Sequence, residues 1–332
     1  MLNPQLDRRG ELIHLLTTEG LPRRHVERLL DAAAGFAAGQ APAVAATGLP
    51  VFLGLPAGDT DLRQGFEAAA ARLGLRPVAL ADGTGPGADA GVDRGHGVGA
   101  GDPPVAESAA ALSPAAVAAG LPAGILALRH PASGAAVCAA AAAAAPGLRI
   151  LNAGDGAHAD PLPALARVQA MLRAGRDLTN LAVALVGDIR HSAVARSLIH
   201  VMTTLGVPEV RAAAPRPLLP DGLPQLGVRA CATLHECLAG ADVVIVLPLR
   251  AERMSGALLP SAREYAAGHG LTTARLAVAR PGALLLPAAP LTPGIEVDGD
   301  IAAGLVDAEA GLARFERDLR VAALSVLAGG AA

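Results

Sequence analysis

Three segments of this chain bring chemistry-bearing side chains to the ends of apolar runs. Arg129-His130-Pro131 follows the run Gly124 to Leu128, which sets a guanidinium and an imidazole outside the carboxyl end of a buried strand. Open α/β sheets bind ligands there. An arginine in such a place serves either an anion or the fold, and position alone does not choose between them. Asn152-Ala153-Gly154-Asp155-Gly156 follows the run Leu148 to Leu151 and marks a sharp turn where only glycine backbones fit. Val183-Ala184-Leu185-Val186-Gly187-Asp188 runs a strand into a glycine turn before a helix. It lacks the Gly-x-Gly-x-x-Gly of a dinucleotide site, so a tight strand-end turn is the better reading. Cys138, Cys231 and Cys237 have no metal spacing and no histidine beside them, and read as buried thiols. No metal or cofactor is expected.

Composition removes several classes. All 27 basic residues are arginine, the net charge is −3 and aromatic residues make up 2%. Lysine chemistry is excluded, and neither a basic surface nor stacking platforms for nucleic acid are available. The longest apolar stretch, Ala135 to Pro146, is mostly alanine and too short to cross a bilayer. The first thirty residues carry Arg8, Arg9, Glu11, Arg23, Arg24 and Glu27 and no apolar core with a cleavage site, so a cytoplasmic location is expected.

With 332 residues, 52% of them hydrophobic, the chain is long enough for two domains. Short apolar runs at Pro50 to Leu55, Pro77 to Leu80, Gly124 to Leu128, Leu148 to Leu151, Ala182 to Val186, Val210 to Ala213, Val228 to Cys231, Val243 to Leu247 and Ala283 to Leu286 predict buried parallel strands. Helices are predicted between them at Asp59 to Leu73, Pro131 to Ala145, Pro161 to Ala174, Ser192 to Leu205 and Leu271 to Ala279. A last helix is predicted from Asp307 to Leu327. The class is α/β, two doubly wound parallel-sheet domains with a cleft between them. The stretch Ala81 to Pro104, rich in Gly, Asp and Ala, reads as a loop, and Ala109 to Ala119 as a short helix.

In order along the chain, Arg-His-Pro-x-x-Gly-Ala (Arg129 to Ala135), Asn-Ala-Gly-Asp-Gly (Asn152 to Gly156), Val-Gly-Asp-Ile-Arg-His-Ser-x-Val-Ala-Arg-Ser (Val186 to Ser197) and Glu-Arg-Met (Glu252 to Met254) resemble the aspartate/ornithine transcarbamoylase family. The aspartate transcarbamoylase catalytic chain is the nearest branch. The resemblance continues through Leu-Leu-Pro-Ser (Leu258 to Ser261), Gly-Leu-Thr-Thr-Ala-Arg-Leu (Gly270 to Leu276) and the terminal helix. It implies a carbamoyl-phosphate-type domain over residues 1–160, completed by the helix at 307–328, and an aspartate-type domain over 161–306.

That chemistry needs a dense cationic pocket, because a phosphate dianion and a dicarboxylate bind together. The family's phosphate motif Ser-Thr-Arg-Thr-Arg falls on Asp59, Thr60, Asp61, Leu62 and Arg63, so only Thr60 and Arg63 match. Asp59 as a helix cap and Asp61 in the first turn would put carboxylates in the place of the substrate anion. The lysine that a neighbouring subunit sends into the family's pocket falls near Glu107, and His-Pro-Thr-Gln on Asp160, Pro161, Leu162 and Pro163. On the aspartate side the clamp arginines fall on Ala193 and Pro248, with Gln replaced by Arg250. The last substrate loop becomes Pro287, Ala288, Ala289 and Pro290. Arg129, with His130 beside it, is the cationic ligand that the resemblance leaves intact.

These losses give three readings. The first is a catalytically inactive homologue acting as a structural or regulatory subunit in pyrimidine biosynthesis. The others are a residual or altered carbamoyltransferase, and a small-molecule sensor. The residual binding residues would be Thr60, Arg63, Arg129 and His130, with no catalytic residue assigned. The implied partners are two further copies in a homotrimer, or an active transcarbamoylase or dihydroorotase in a mixed oligomer.

Overall fold

The structure, a computed structural model, describes residues 3–40, 48–80, 113–254, 258–259 and 261–329. The loop expected over Ala81 to Pro104, Glu107 and the start of the helix expected over Ala109 to Ala119 lie outside the described residues. The chain forms two compact units. One comprises Met1–Leu16, Pro42–Asp155 and Ala323–Ala332, and the other Thr17–Ala41 and Gly156–Ala322.

The elements in chain order are α1 (Arg23–Ala37), β1 (Pro50–Gly54), α2 (Thr60–Arg72), β2 (Arg76–Ala79), α3 (Pro114–Gly120), β3 (Gly124–His130), α4 (Ala135–Ala142) and β4 (Leu148–Asp155). They continue with α5 (Pro161–Arg173), β5 (Ala182–Gly187), α6 (Ala193–Leu205), β6 (Glu209–Ala213), β7 (Val228–Ala230), α7 (Leu234–Leu238) and β8 (Val243–Leu247). The chain ends with α8 (Ala262–His269), α9 (Thr273–Leu276), β9 (Leu284–Pro287), α10 (Gly299–Gly304) and α11 (Val306–Leu327). Every strand run expected from the sequence is present. Among the described residues no helix is long and apolar enough to cross a membrane.

The first unit holds a four-stranded parallel sheet in the order β2-β1-β3-β4. The central strands are apolar over Val51 to Leu53 and Ile125 to Leu128, where both faces are covered, whereas β2, expected to be buried, lies at the edge of the sheet with Arg76, Pro77 and Ala79 exposed. One side packs Leu16, Phe52, Leu126, Leu128 and Ile150 against Ala136 and Ala139 of α4. The helix expected from Pro131 begins only at Ala135. Gly134 takes a left-handed φ of 82°, and the Ala132 amide donates to His130 Nδ1 at 3.0 Å, so the intervening residues form a turn. At the β3–β4 pair the register slips, Leu128 facing Asn152 and His130 facing Asp155. The extra residue therefore belongs to β4, where Gly154 has a φ of 115°. Such a bulge re-aims side chains at a strand end.

His14 shows how closely this unit is packed. Its Nδ1 accepts from the Ile150 amide at 2.9 Å, and burial, with the nearby Arg149 guanidinium, lowers its pKa from 6.5 to about 4. The depressed value means that folding favours the neutral ring. Its contribution is therefore complete above about pH 6.5 and lost as the pH falls toward 4, a difference of about 3 kcal/mol. The urea midpoint of the native chain is expected to drop across that window, and more steeply than that of His14→Gln. Parallel profiles for the two would remove His14 from the account.

The second unit holds a five-stranded parallel sheet in the order β7-β6-β5-β8-β9. α6 lies where Ser192 Oγ accepts from the Ala195 amide at 3.1 Å, and it stops at Gly206, which has a left-handed φ of 83°. α1 was not legible as an element boundary, having no side-chain cap, but it buries His25, Val26, Leu29, Leu30, Ala33 and Phe36 along one face. Thr18 Oγ1 donates to the Ser197 carbonyl at 2.7 Å and holds the segment before α1 on α6.

α11 belongs to both units, and each end has its own reason. Glu316 is paired with Arg167 of α5 in the second unit. The last turn is tied to the first unit, where the Arg149 guanidinium donates to the Leu327 carbonyl.

Candidate functional site

Each sheet presents a polar edge at the carboxyl ends of its strands. In the first unit that edge carries the residues singled out from the sequence. β1 ends at Gly54, Leu55 leads into the turn before α2, β3 delivers Arg129 and His130, and β4 delivers Asn152 to Asp155.

The cation expected to meet an anionic ligand is already paired. Arg129 Nε lies 2.9 Å from Asp59 Oδ2, and both side chains are about one-third exposed. The Arg129 NH1 group also donates to the Ala153 carbonyl at 3.5 Å, at the bulge of β4. Asp59 does occupy the N-cap position of α2, but its side chain makes no cap hydrogen bond. This corrects the expectation of a helix cap. The physical reason is competition: a guanidinium offers a charge-assisted bond, stronger than a bond to a helix amide. Asp61 stands in the first turn of α2, where the positive end of the helix favours a carboxylate.

The remaining expected residues are placed as follows. Thr60 is the first residue of α2 and is exposed. Arg63 turns back along its own helix, and its NH2 donates to the Leu55 carbonyl at 2.8 Å, which fixes the turn between β1 and α2. His130 Nδ1 is engaged by the Ala132 amide. Its Nε2 is buried and has no hydrogen-bond partner among the described residues. Asn152 and Asp155 shape the edge: Asn152 Nδ2 donates to the Leu16 carbonyl at 2.7 Å and to Asp155 Oδ1 at 3.0 Å. Asp155 Oδ2 accepts from the Gly134 amide at 3.0 Å. The structure thus brings Arg129 together with Asp59, and gives Arg63 and His130 backbone partners.

The polar edge of the second unit follows β5 and β8. Asp188, fully buried, accepts from the His191 amide at 3.1 Å, from His191 Nδ1 at 2.9 Å and from the Arg250 amide at 3.2 Å. Glu296, also buried, accepts from the Leu249 amide and the Thr292 amide, each at 2.8 Å. Both carboxylates are spent on shaping loops. Tyr265 lies buried with its hydroxyl unpartnered among the described residues, and burial, with the charges of Glu296 and Asp188, raises its pKa. The positions expected to clamp a dicarboxylate offer no cation: Ala193 opens α6 and is buried, and Pro248 directly follows β8 and is buried. Arg250 NH1 lies 3.8 Å from Glu252. Glu296 and Tyr265 had no signal in the sequence, whereas Asp188 directly follows the strand-end Gly187. Among the described residues no group of three or more His, Cys, Asp or Glu side chains is placed to hold a metal ion.

No protein-family model matches the chain. Solved structures do. Ornithine carbamoyltransferase from Gloeobacter violaceus superposes with a TM-score of 0.72 at 19% identity, over 96% of this chain and 99% of that one. The chain has the transcarbamoylase fold. Aspartate transcarbamoylase from Trypanosoma cruzi in complex with phosphate shares that fold with a TM-score of 0.69, 19% identity and coverage of 95% of this chain and 96% of that one. Ornithine carbamoyltransferase from Pyrococcus furiosus shares it with a TM-score of 0.72, 17% identity and coverage of 96% and 98%. The motifs at Arg129, Asn152 and Gly187 lie at the carboxyl ends of β3, β4 and β5.

Proposed function

We propose that this chain is a member of the transcarbamoylase family, on the aspartate side, that no longer binds carbamoyl phosphate. It acts as a structural or regulatory subunit in pyrimidine biosynthesis, as a homotrimer or in a mixed oligomer with an active transcarbamoylase or a dihydroorotase. One observation carries the reading: Arg129 is paired with Asp59 at 2.9 Å, so the retained cation is neutralised by a carboxylate of its own chain. Asp61 adds a second negative charge in the first turn of α2. A dianion arriving there meets repulsion, and two unit charges at about 4 Å interact by roughly 4 kcal/mol at an effective dielectric of about 20. Ala193 and Pro248 supply no charge for a second, dicarboxylate substrate.

The test is titration calorimetry of the purified chain with carbamoyl phosphate, alongside product assays with aspartate and with ornithine as acceptors. No heat and no carbamoylated product are expected. Turnover with either acceptor would defeat the proposal. Mass measurement by light scattering, alone and after mixing with an active transcarbamoylase, addresses the subunit role, and a monomer in both samples would remove it.

Restoring the charge should restore part of the affinity. Asp59→Ser combined with Asp61→Arg releases Arg129 and adds a cation. Because the Asp59–Arg129 pair is partly exposed, water screens it and its effect is nearer 1–2 kcal/mol than the unscreened figure. Inorganic phosphate is therefore expected to bind the double variant about 5- to 30-fold more tightly than the native chain. Equal affinities would mean that the pair does not control this edge.

A further inference from the structure

We propose that Cys231 and Cys237 form a redox-modifiable dithiol, which closes to an intrachain disulfide when a peroxide supplies the oxidising equivalents. The pairing of strands brings the two residues to one place. The Cys231 amide donates to the Ala212 carbonyl of β6 at 2.8 Å. Cys237, on α7, directs its Sγ to the Leu185 carbonyl of β5, 3.9 Å away. Leu185 and Ala212 face each other in the β5–β6 register, and neighbouring strands lie about 4.8 Å apart. Cys231 Sγ points to the Arg229 carbonyl, 3.8 Å away, and the two thiols lie close enough for each to perturb the ionisation of the other. Cys237 is fully buried and Cys231 is 5% exposed, both in the packed core of the second unit that also holds Ala213, Leu234 and Leu238.

The chemistry balances as follows. Cys231, nearer the surface, loses its proton, and its thiolate attacks one peroxide oxygen. An S–O bond forms, the O–O bond breaks, and the departing hydroxide takes up a proton to become water. Cys237 then gives up its proton and attacks the sulfenic sulfur. The S–S bond forms, the S–O bond breaks, and a second water leaves. Two thiols are oxidised by two electrons, and one hydrogen peroxide is reduced to two waters. Burial raises the pKa of both thiols, while the Arg211 and Arg229 guanidiniums act in the opposite direction. The reaction is therefore slow at neutral pH and quickens as the pH rises. The product closes a short ring that fastens α7 to the end of β7.

The third cysteine, Cys138, is exposed and is removed as Cys138→Ser. That chain is treated with hydrogen peroxide at neutral and at mildly alkaline pH, then unfolded, alkylated and digested with trypsin, which leaves Cys231 and Cys237 on one peptide. The expected peptide is two hydrogens lighter, carries no alkyl group and returns to the doubly alkylated form after dithiothreitol. The folded, oxidised chain is expected to melt a few degrees higher than the reduced one. Cys237→Ser should instead accumulate oxygen on Cys231. A peptide that remains doubly alkylated, or one that gains oxygen on a single cysteine without the cross-link, overturns the proposal.

Discussion

Gly187→Ala is expected to destabilise the chain by about 3–5 kcal/mol, because a β-carbon there has no place to go. Gly187 ends β5 with a φ of 122°, a conformation that L side chains rarely adopt. Leu247 of β8 is its partner in register, and a β-carbon on Gly187 would overlap the Leu247 carbonyl oxygen and stand 3.0 Å from its carbonyl carbon. The neighbour is backbone in the centre of the sheet, so it cannot swing aside as a flexible side chain would. Relief requires the carboxyl ends of β5 and β8 to separate. That separation also breaks the bond from the Arg250 amide to Asp188, the residue after Gly187. Chemical denaturation of the variant beside Gly311→Ala measures the effect. Gly311 lies inside α11 with nothing within 4 Å of a built β-carbon, and alanine there should stabilise by about 0.5–1 kcal/mol. A Gly187→Ala chain within about 1 kcal/mol of the native one would show that the sheet edge yields, and the account of this turn would fail.

The same glycine shows what the sequence could and could not reveal. A glycine after an unbroken apolar run already calls for a tight strand end, and the absence of Gly-x-Gly-x-x-Gly leaves no nucleotide role to explain it. The strands were legible because parallel strands are covered on both faces, which leaves runs such as Val243 to Leu247 without a polar residue. The short helices α7, α8 and α10 were not, since five to eight residues carry too little periodicity to distinguish them from loops. Capping explains part of the difference at helix starts. Ser192 before α6 gave a usable signal, whereas α1 begins after Pro22 with no side-chain cap.

The candidate site was legible in its residue types and not in its pairings. Arg129 and Asp59 are seventy positions apart, and only the adjacency of β1 and β3 makes them neighbours. A sequence reading assigns Asp59 to its own helix because the helix is the local partner. The structure assigns it to Arg129 because a charged partner outcompetes a dipole end. This difference bears on function: a carboxylate capping its helix would leave the arginine available to an anion, while one bonded to the arginine does not.

Arg167 was invisible as a determinant of the fold, and its replacement should be as costly as that of Gly187. It lies on α5 with 4% of its surface exposed. Its Nε donates to the Pro287 carbonyl at 3.0 Å, and its NH1 donates to the Pro163 carbonyl at 3.0 Å and to Glu316 Oε1 at 2.5 Å. One guanidinium thus joins α5, the end of β9 and α11. Arg320 supports the pair from the next turn, 3.5 Å from the other oxygen of Glu316. Arg167→Leu removes the charge, leaves the Pro287 carbonyl without its guanidinium donor and leaves Glu316, whose side chain is 22% exposed, with Arg320 as its remaining partner. Breaking one side of a buried pair costs about 3–5 kcal/mol, which for a unit of this size lowers Tm by on the order of 10 °C. The double variant Arg167→Leu with Glu316→Leu separates the possible causes. If the loss comes from the weakened pairing of the Glu316 carboxylate, the second substitution should recover most of it, since apolar groups can replace a buried pair at little cost. If the carbonyl bonds dominate, the double variant should remain as unstable as the single one. Arg167→Leu melting within about 2 °C of the native chain would mean that the guanidinium does not hold these three segments together.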